Sequence, residues 1–510
     1  MSFKRLIQIL TSRVVVTGVL ILIQLGWFLV FLTTLAQHAV WISALFALLS
    51  MAIVLSIVSK DVNPAYKIVW IILIEAVPLL GGLLYLLFGN KRPTRRMQGR
   101  FLRERRRFAP LLAQQPQQAA GLSGRARGTA RYVQKNGPFP VWRDTSVTYY
   151  PLGEEMFADM MRAIEAAEHF IFLEYFIITE NSYMWQTMLE ALARKAAAGL
   201  DVRLIYDDLG SVALLPPGYA KKMEALGIRC LAFNPFVPVM SLVMNNRDHR
   251  KILVVDGHTA FNGGINLSDE YINRTHPHGH WKDTGLRLAG EGAWNLTAMF
   301  LQTWHAFRPG REDMAEFLPH RWHVAPFAGS GWVQPFGDSP LDDEPVSENV
   351  YIDLLSQAQS YAYIFTPYLA LSNELQSALC LAARRGVDVR VVTPGIPDKP
   401  IVYRLTRSYY PALLKAGVRV FEYTPGFLHA KSMLVDGEVG VVGTINMDFR
   451  SLYLHFECGT LLYGCDALAD LKRDCMATFG ASREVGLQNC RLSVGGRLLS
   501  ALLRVFAPLM

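Results

Sequence analysis

Two segments of the chain, HRKILVVDGHTAFNGGIN and HAKSMLVDGEVGVVGTIN, carry the same reactive residue types at the same spacing. In the first, His249 and Lys251 are followed by Asp256 and, beyond a glycine pair, Asn266. In the second, His429 and Lys431 are followed by Asp436 and Asn446. Residues two apart on a strand project to one face, so each segment offers an imidazole and an ammonium together. Two such strands related by a pseudo-twofold axis can bring both pairs into one pocket. That set suits a phosphodiester, whose negative charge repels an incoming nucleophile. Two ammonium groups neutralise the non-bridging oxygens and the charge that develops in the transition state. One imidazole attacks phosphorus and forms a phosphoryl-histidine; the other protonates the leaving alkoxide, then deprotonates the incoming alcohol or water. Because the lysines supply the charge a cation would bring, the scheme needs no metal and no cofactor. Spacing alone does not say which histidine attacks.

The elements that must position these groups also occur twice. From about residue 140 strands and helices alternate, which predicts an α/β fold. The strand-like run HFIFLEYF (169–176) precedes a helical stretch that ends at Gly199, and YAYIFTPY (361–368) precedes one that ends at Gly386. Both glycines suit a left-handed helix C-cap, and each next strand opens with Asp-Val-Arg. A second strand signal follows in each copy, LGIRCLAF and AGVRVFEY, before the histidine segment. Asp256 and Asp436 look like catalytic carboxylates by type, while their position suits them to organising the turn after each histidine strand. Asn266 and Asn446 are placed to donate to phosphate oxygens or to hold their turns.

The rest of the 510 residues is unlike an ordinary soluble enzyme. Apolar residues make up 51% and charged ones 18%, which excludes a disordered chain. The six cysteines form no C-x-x-C pair, which argues against a disulfide scaffold or a zinc ribbon. Residues 14–35 and 40–58 carry no charge, and residues 68–88 carry only Glu75. At about 1.5 Å per residue each run can cross a hydrocarbon core of about 30 Å. Nine basic side chains then fall within residues 91–107, with Glu104 the single acid. Removing that segment from 51 basic and 43 acidic residues leaves 42 of each, so the net charge of +8 is local. A nucleic-acid enzyme more often spreads its charge over the catalytic surface, so this weighs against one. The same cluster places everything downstream in the cytoplasm. Three crossings would put Lys4, Arg5 and Arg13 outside; Glu75, Pro78, Gly81 and Gly82 in the third run, or Gln24 and Gly26 in the first, suit a re-entrant or interfacial segment, so two or three spans remain open.

The paired H-x-K-x4-D segments resemble those of the phospholipase D superfamily, over about residues 140–480. NPAYKIVWIILIEAVPLLGGLLYLLFGN, NPFVPV, RDHRKILVVDG and WKDTGLRL are similar to bacterial cardiolipin synthases. The resemblance implies two α/β/α sandwich halves related by pseudo-twofold symmetry, preceded by N-terminal transmembrane helices. It implies a phosphatidyltransferase of the bacterial inner membrane that joins two phosphatidylglycerols into cardiolipin and glycerol. Its partners would be membrane phospholipids and the bilayer, with no nucleic acid. His249 would be the nucleophile and His429 the acid/base. An acidic residue would contact each catalytic histidine, and Asp283 in WKDTGLRL and Glu457 in LHFECGTLL occupy matching strand contexts. They stand 34 residues after His249 and 28 after His429, a difference the loop around NRTHPHGH would absorb. The alternatives with the same motifs are a hydrolytic phospholipase D, a nuclease, or an inactive membrane scaffold; intact motifs in both halves argue against the last.

The expected organisation is an anchor over 1–90, a basic segment and flexible linker over 91–135, halves over 136–325 and 326–490, and an amphipathic segment over 491–510. His276, His278 and His280 alternate like metal ligands but read as a polar surface loop beside Pro277 and Gly279. The apolar stretch 234–246 is either core or a contact for acyl chains. Leu498, Leu499, Leu502, Leu503 and Phe506 recur at helical spacing, which predicts a helix that is either interfacial or packed on the domain.

Overall fold

The computed structural model describes residues 40–60, 62–89, 95–235, 246–342 and 344–509, with a few positions between 22 and 33. The chain divides into two units, one made of Met1–Thr94, Pro235–Asn245 and Val505–Met510, the other of Arg95–Asn234 and Asn246–Arg504. The first apolar run therefore lies mostly outside the described residues, as does most of the stretch 234–246.

In the first unit the second apolar run forms helix α1 (Val40–Val58). The third run is not the single crossing that its length allowed. It is two helices, α2 (Pro64–Ala76) and α3 (Pro78–Phe88), packed on one another. Proline lacks the N–H that would continue the helix and forces the residue before it out of the helical region. Val77 accordingly adopts φ −142° and ψ 82°. The fold-back is tight enough to require Gly81, where a Cβ would stand 2.4 Å from the Leu73 carbonyl oxygen. Ile57, Trp70, Ile74 and Tyr85 form a small core, with the Trp70 and Tyr85 rings 5.4 Å apart. Leu45, Leu48, Met51, Leu55, Ile68, Ile72 and Leu86 are exposed. No helix among the described residues is long and apolar enough to cross a membrane. The longest helix described in this unit, α1, comes to roughly 28 Å, just short of a core of about 30 Å.

The second unit contains two mixed sheets that repeat each other strand for strand. The first half supplies β1 (Thr145–Tyr150), β2 (Phe170–Tyr175), β3 (Asp201–Asp207), β4 (Arg229–Phe233), β5 (Lys251–Val255), β6 (Thr259–Gly263), β7 (His280–Lys282) and β8 (Gly285–Gly290). The second supplies β9 (Trp332–Asp338), β10 (Tyr361–Phe365), β11 (Asp388–Pro394), β12 (Arg419–Tyr423), β13 (Gly426–Leu428), β14 (Ser432–Val435), β15 (Val439–Gly443), β16 (Glu457–Tyr463) and β17 (Ser482–Glu484). The sheet orders are β1-β8-β6-β5-β2-β3-β4 and β9-β16-β15-β14-β10-β11-β12-β17, so only the edge strand β17 is extra. The expected helix stops hold: Gly199 and Gly386 both have φ +95°, and β3 and β11 follow. The sheets meet along β6 and β8 on one side and β15 and β16 on the other.

The glutamine-rich stretch expected to be a flexible linker is part of this unit. Its turns are fixed by the Gln114 and Gln118 side chains, which accept from the Val141 and Arg143 N–H groups, and a helix follows at Gly124–Asn136. Ahead of it the basic cluster forms helix α4 (Arg95–Phe108), which buries Met97 and Phe108 and exposes Arg95, Arg96, Arg103 and Arg106. At the other end Val494–Phe506 forms the expected helix, with Leu498, Leu499, Leu502 and Phe506 exposed.

Candidate active site

The histidines are positioned by pairing between the halves. β7 and β13 form a two-stranded parallel ribbon with Leu428 opposite Lys282, so the next residues, His429 and Asp283, also face each other. An isolated parallel bridge sets Asp248 opposite Phe456, and the next residues there are His249 and Glu457. The backbone bonds repeat as well: His429 N–H donates to the Lys282 carbonyl at 2.7 Å, and His249 N–H donates to that of Phe456 at 2.9 Å. Each half thus supplies the carboxylate that orients the other half's imidazole. His429 Nδ1 lies 2.6 Å from Asp283 Oδ2, and His249 Nδ1 lies 2.8 and 3.0 Å from the two Glu457 oxygens. With the hydrogen on Nδ1 and shared with the carboxylate, Nε2 keeps its lone pair for attack or proton transfer.

The lysines lie beside their histidines on the same strand face. Lys251 Nζ donates to the His249 carbonyl at 2.6 Å, and Lys431 Nζ donates to the His429 carbonyl and stands 2.7 Å from His429 Nδ1. That Nδ1 cannot both donate to Asp283 and accept from Lys431; the carboxylate is the stronger partner. All four groups are buried, and burial dominates their titration. It lowers the Lys251 pKa to about 8 and that of Lys431 to about 7. Burial and then Lys431 pull His429 down to about 4, and burial and then Lys251 hold His249 well below the ordinary histidine range. Lys431 and His429 also act on His249, and Lys251 on His429, which unites the two pairs in one electrostatic site. Burial pushes Glu457 well above the usual carboxylate range, whereas for Asp283 the same burial is outweighed by Lys431 and His429, and its pKa is lowered.

The other expected site residues divide. Asp256 and Asp436, expected by type as catalytic carboxylates, stand at the far ends of β5 and β14, away from the histidines. Both are in the left-handed region, at φ +49° and +53°. Asp256 accepts from the N–H groups of Glu168, His169 and Phe170, and Asp436 from those of Gln359, Ser360 and Tyr361, all at 2.8–2.9 Å. They cap the starts of β2 and β10, which corrects the catalytic placement and keeps the turn-organising one. Asn266 is fully engaged, accepting from Ile177 N–H and donating to the Tyr271 hydroxyl at 2.7 Å. Asn446 is buried with its side-chain oxygen unpartnered.

His455 was not singled out from the sequence. It is buried beside the site, its ring centroid 5.6 Å from that of His249. Its one available signal is position: it precedes Glu457 by two residues, as Trp281 precedes Asp283. Among the described residues His249, His455 and Glu457 form the one group able to hold a metal ion, with ligating atoms within 4.8 Å of one another. Lys251 acts on all three, which opposes a cation there. His280 instead lies 3.0 Å from the Tyr423 hydroxyl, and the alternating histidines form no ligand set.

Comparison with known proteins shows the family. Residues 160–279 and 351–476 match the family described as "Cardiolipin synthase, PLD-like domain", and residues 39–90 match "Phospholipase_D-nuclease N-terminal". An uncharacterized protein of Streptococcus mutans is 42% identical over 90% of this chain and 99% of its own length. A cardiolipin synthase of Alkalihalophilus pseudofirmus is 31% identical over 92% of this chain and 94% of its own. In fold the chain is similar to the crystal structure of phosphatidylserine synthase from Haemophilus influenzae, with a TM-score of 0.56 at 16% identity, covering 75% of this chain and 97% of that one. The chain belongs to the bacterial cardiolipin synthase family of the phospholipase D superfamily.

Proposed function

We propose that the protein transfers a phosphatidyl group from one phosphatidylglycerol to another, giving cardiolipin and glycerol. The observation that carries this reading is the pair of crossed histidine–carboxylate contacts with a buried lysine beside each histidine. His249 Nε2 attacks phosphorus as the bond to the glycerol oxygen breaks, and that oxygen takes a proton from His429. Before substrate binds, burial and Lys431 keep His429 neutral; the phosphodiester anion offsets the lysines and restores its proton. A hydroxyl of the second phosphatidylglycerol then gives its proton to His429 and its oxygen to phosphorus. The P–N bond breaks, and cardiolipin leaves with His249 regenerated.

Lipid substrates stay in the bilayer, so the enzyme must work at its surface. The exposed leucines and isoleucines of α1–α3, the exposed arginines of α4 and the exposed leucines of Val494–Phe506 support a bacterial inner-membrane enzyme whose catalytic unit faces the cytoplasm. Purified protein in phosphatidylglycerol vesicles should release one glycerol for each cardiolipin formed, with activity unchanged by a chelator. Phosphatidic acid as the sole lipid product would replace transferase with hydrolase.

A further inference from the structure

His455 and Trp281 occupy the same position in the two halves and are 8% and 7% exposed. Neither ring nitrogen of His455 has a hydrogen-bond partner, and neither does the Trp281 indole Nε1. Each ring flanks one histidine of the site, His455 at 5.6 Å from His249 and Trp281 at 5.7 Å from His429, centroid to centroid. His455 Nδ1 comes within 3.9 Å of Glu457 Oε1, beyond hydrogen-bond reach. Burying a polar group without a partner is costly, so such a group beside a reaction site marks where a ligand supplies the bond.

The surroundings define that ligand. Burial and then Arg450, Lys251 and Arg247 hold His455 well below the ordinary histidine range, leaving a neutral ring with one donor and one acceptor. An ammonium headgroup would meet three cations there. A carboxylate headgroup would meet a ring acceptor it cannot satisfy. A hydroxyl, which both donates and accepts, matches a neutral imidazole.

We infer that His455, with Trp281 as its counterpart, binds the hydroxyls of an uncharged polyol headgroup on the lipid that accepts the phosphatidyl group. This rests on the transferase reading and adds the residue that recognises the acceptor. A hydroxyl held by His455 lies beside His249, where the phosphohistidine waits for its second substrate, and it fills space that water would otherwise enter.

The test follows cardiolipin and phosphatidic acid together, using the full-length protein in phosphatidylglycerol vesicles. In His455→Leu the phosphohistidine still forms but its acceptor is not held, so the ratio of cardiolipin to phosphatidic acid should fall about tenfold, with a raised KM for the acceptor. His455→Asn keeps a donor and an acceptor and should recover most of the ratio; Trp281→Phe should lower it in the same direction. Because the ratio does not depend on the folded fraction, a merely structural role would leave it unmoved. An unchanged ratio in His455→Leu overturns the inference and leaves the transferase reading in place. Wild-type protein that makes phosphatidic acid and no cardiolipin overturns both.

Discussion

The two half-sites share one backbone plan and differ in most of the side chains built on it. Asp283 is short and sits against Gly264, where a Cβ would stand 2.0 Å from its carboxylate oxygen. Glu457 is one methylene longer, and at the position matching Gly264 the Thr444 hydroxyl donates to it. Behind His249, Arg250 lies 2.8 Å from Glu174 and 3.0 Å from Asp248, all buried. The matching positions behind His429 are Ala430, Phe365 and Leu428. In the proposed mechanism this difference is a division of labour between carboxylates. Asp283 is a fixed anion, which stabilises the imidazolium that an acid/base partner must become. Glu457 takes up protons readily and can relieve His249 of its Nδ1 proton as that ring gains charge on phosphorylation. The asymmetry supports His249 as nucleophile on grounds that spacing does not provide.

The largest test removes one ring at a time. His249→Ala and His429→Ala should each lower cardiolipin synthesis by about a thousandfold or more. A p-nitrophenyl phosphodiester separates the roles, because its leaving group needs no proton. His429→Ala should then still release one equivalent of nitrophenol in a burst, and His249→Ala none. The reverse pattern would exchange the two half-sites.

The carboxylates come next. Asp283→Asn removes a fixed anion and permits the wrong His429 tautomer, so kcat should fall by about 10³–10⁴. Glu457→Gln replaces a carboxylate whose charge burial already disfavours, and its loss should be roughly tenfold smaller. Equal losses would break the proposed asymmetry. Gly264→Ala should resemble Asp283→Asn, because the added methyl displaces the carboxylate.

The buried charges behind His249 give a stability test. Arg250→Ala leaves Glu174 and Asp248 without their cation and should destabilise the fold by about 3–5 kcal/mol, read from a denaturant midpoint. The other half holds no matching charge to remove. A loss below about 1 kcal/mol would mean that water reaches the cluster.

These asymmetries mark what the sequence leaves hidden. The repeat, both histidine strands and the glycine stops were readable because they depend on residues close in sequence. The crossed contacts join residues 208 and 146 positions apart, and no offset within a half reports them. The break at Val77–Pro78 was signalled by proline, but an apolar count over residues 68–88 cannot see it. Gln114 and Gln118 read as linker composition because only the folded chain gives their side chains backbone groups to bind. His455 had no spacing partner of its own type; its pseudo-symmetric mate is a tryptophan.

Smaller effects follow from titration. Lys431 and Lys251 carry charge below about 7 and about 8 and lose it as pH rises through those values. kcat/KM, which reports the free enzyme, should therefore fall about tenfold between pH 7 and about 8. Lys431→Arg should move that alkaline limb upward in whatever activity it retains. A flat profile would mean that the site is wetter than its burial indicates.

The smallest catalytic effect belongs to the residues on which the halves agree. Asp256 and Asp436 each hold three backbone N–H groups at the start of a strand, far from either imidazole. Asp256→Asn and Asp436→Asn each keep one acceptor oxygen where two now serve three donors, so each should destabilise by about 1–3 kcal/mol. The folded fraction should keep kcat within about twofold, because neither carboxylate meets the phosphate. Matching stability losses at the two positions, set beside the unequal losses at Asp283 and Glu457, would show that the repeat was retained for folding while its active ends diverged for chemistry. A kcat loss of a hundredfold in either variant, with stability unchanged, would return these aspartates to the reaction.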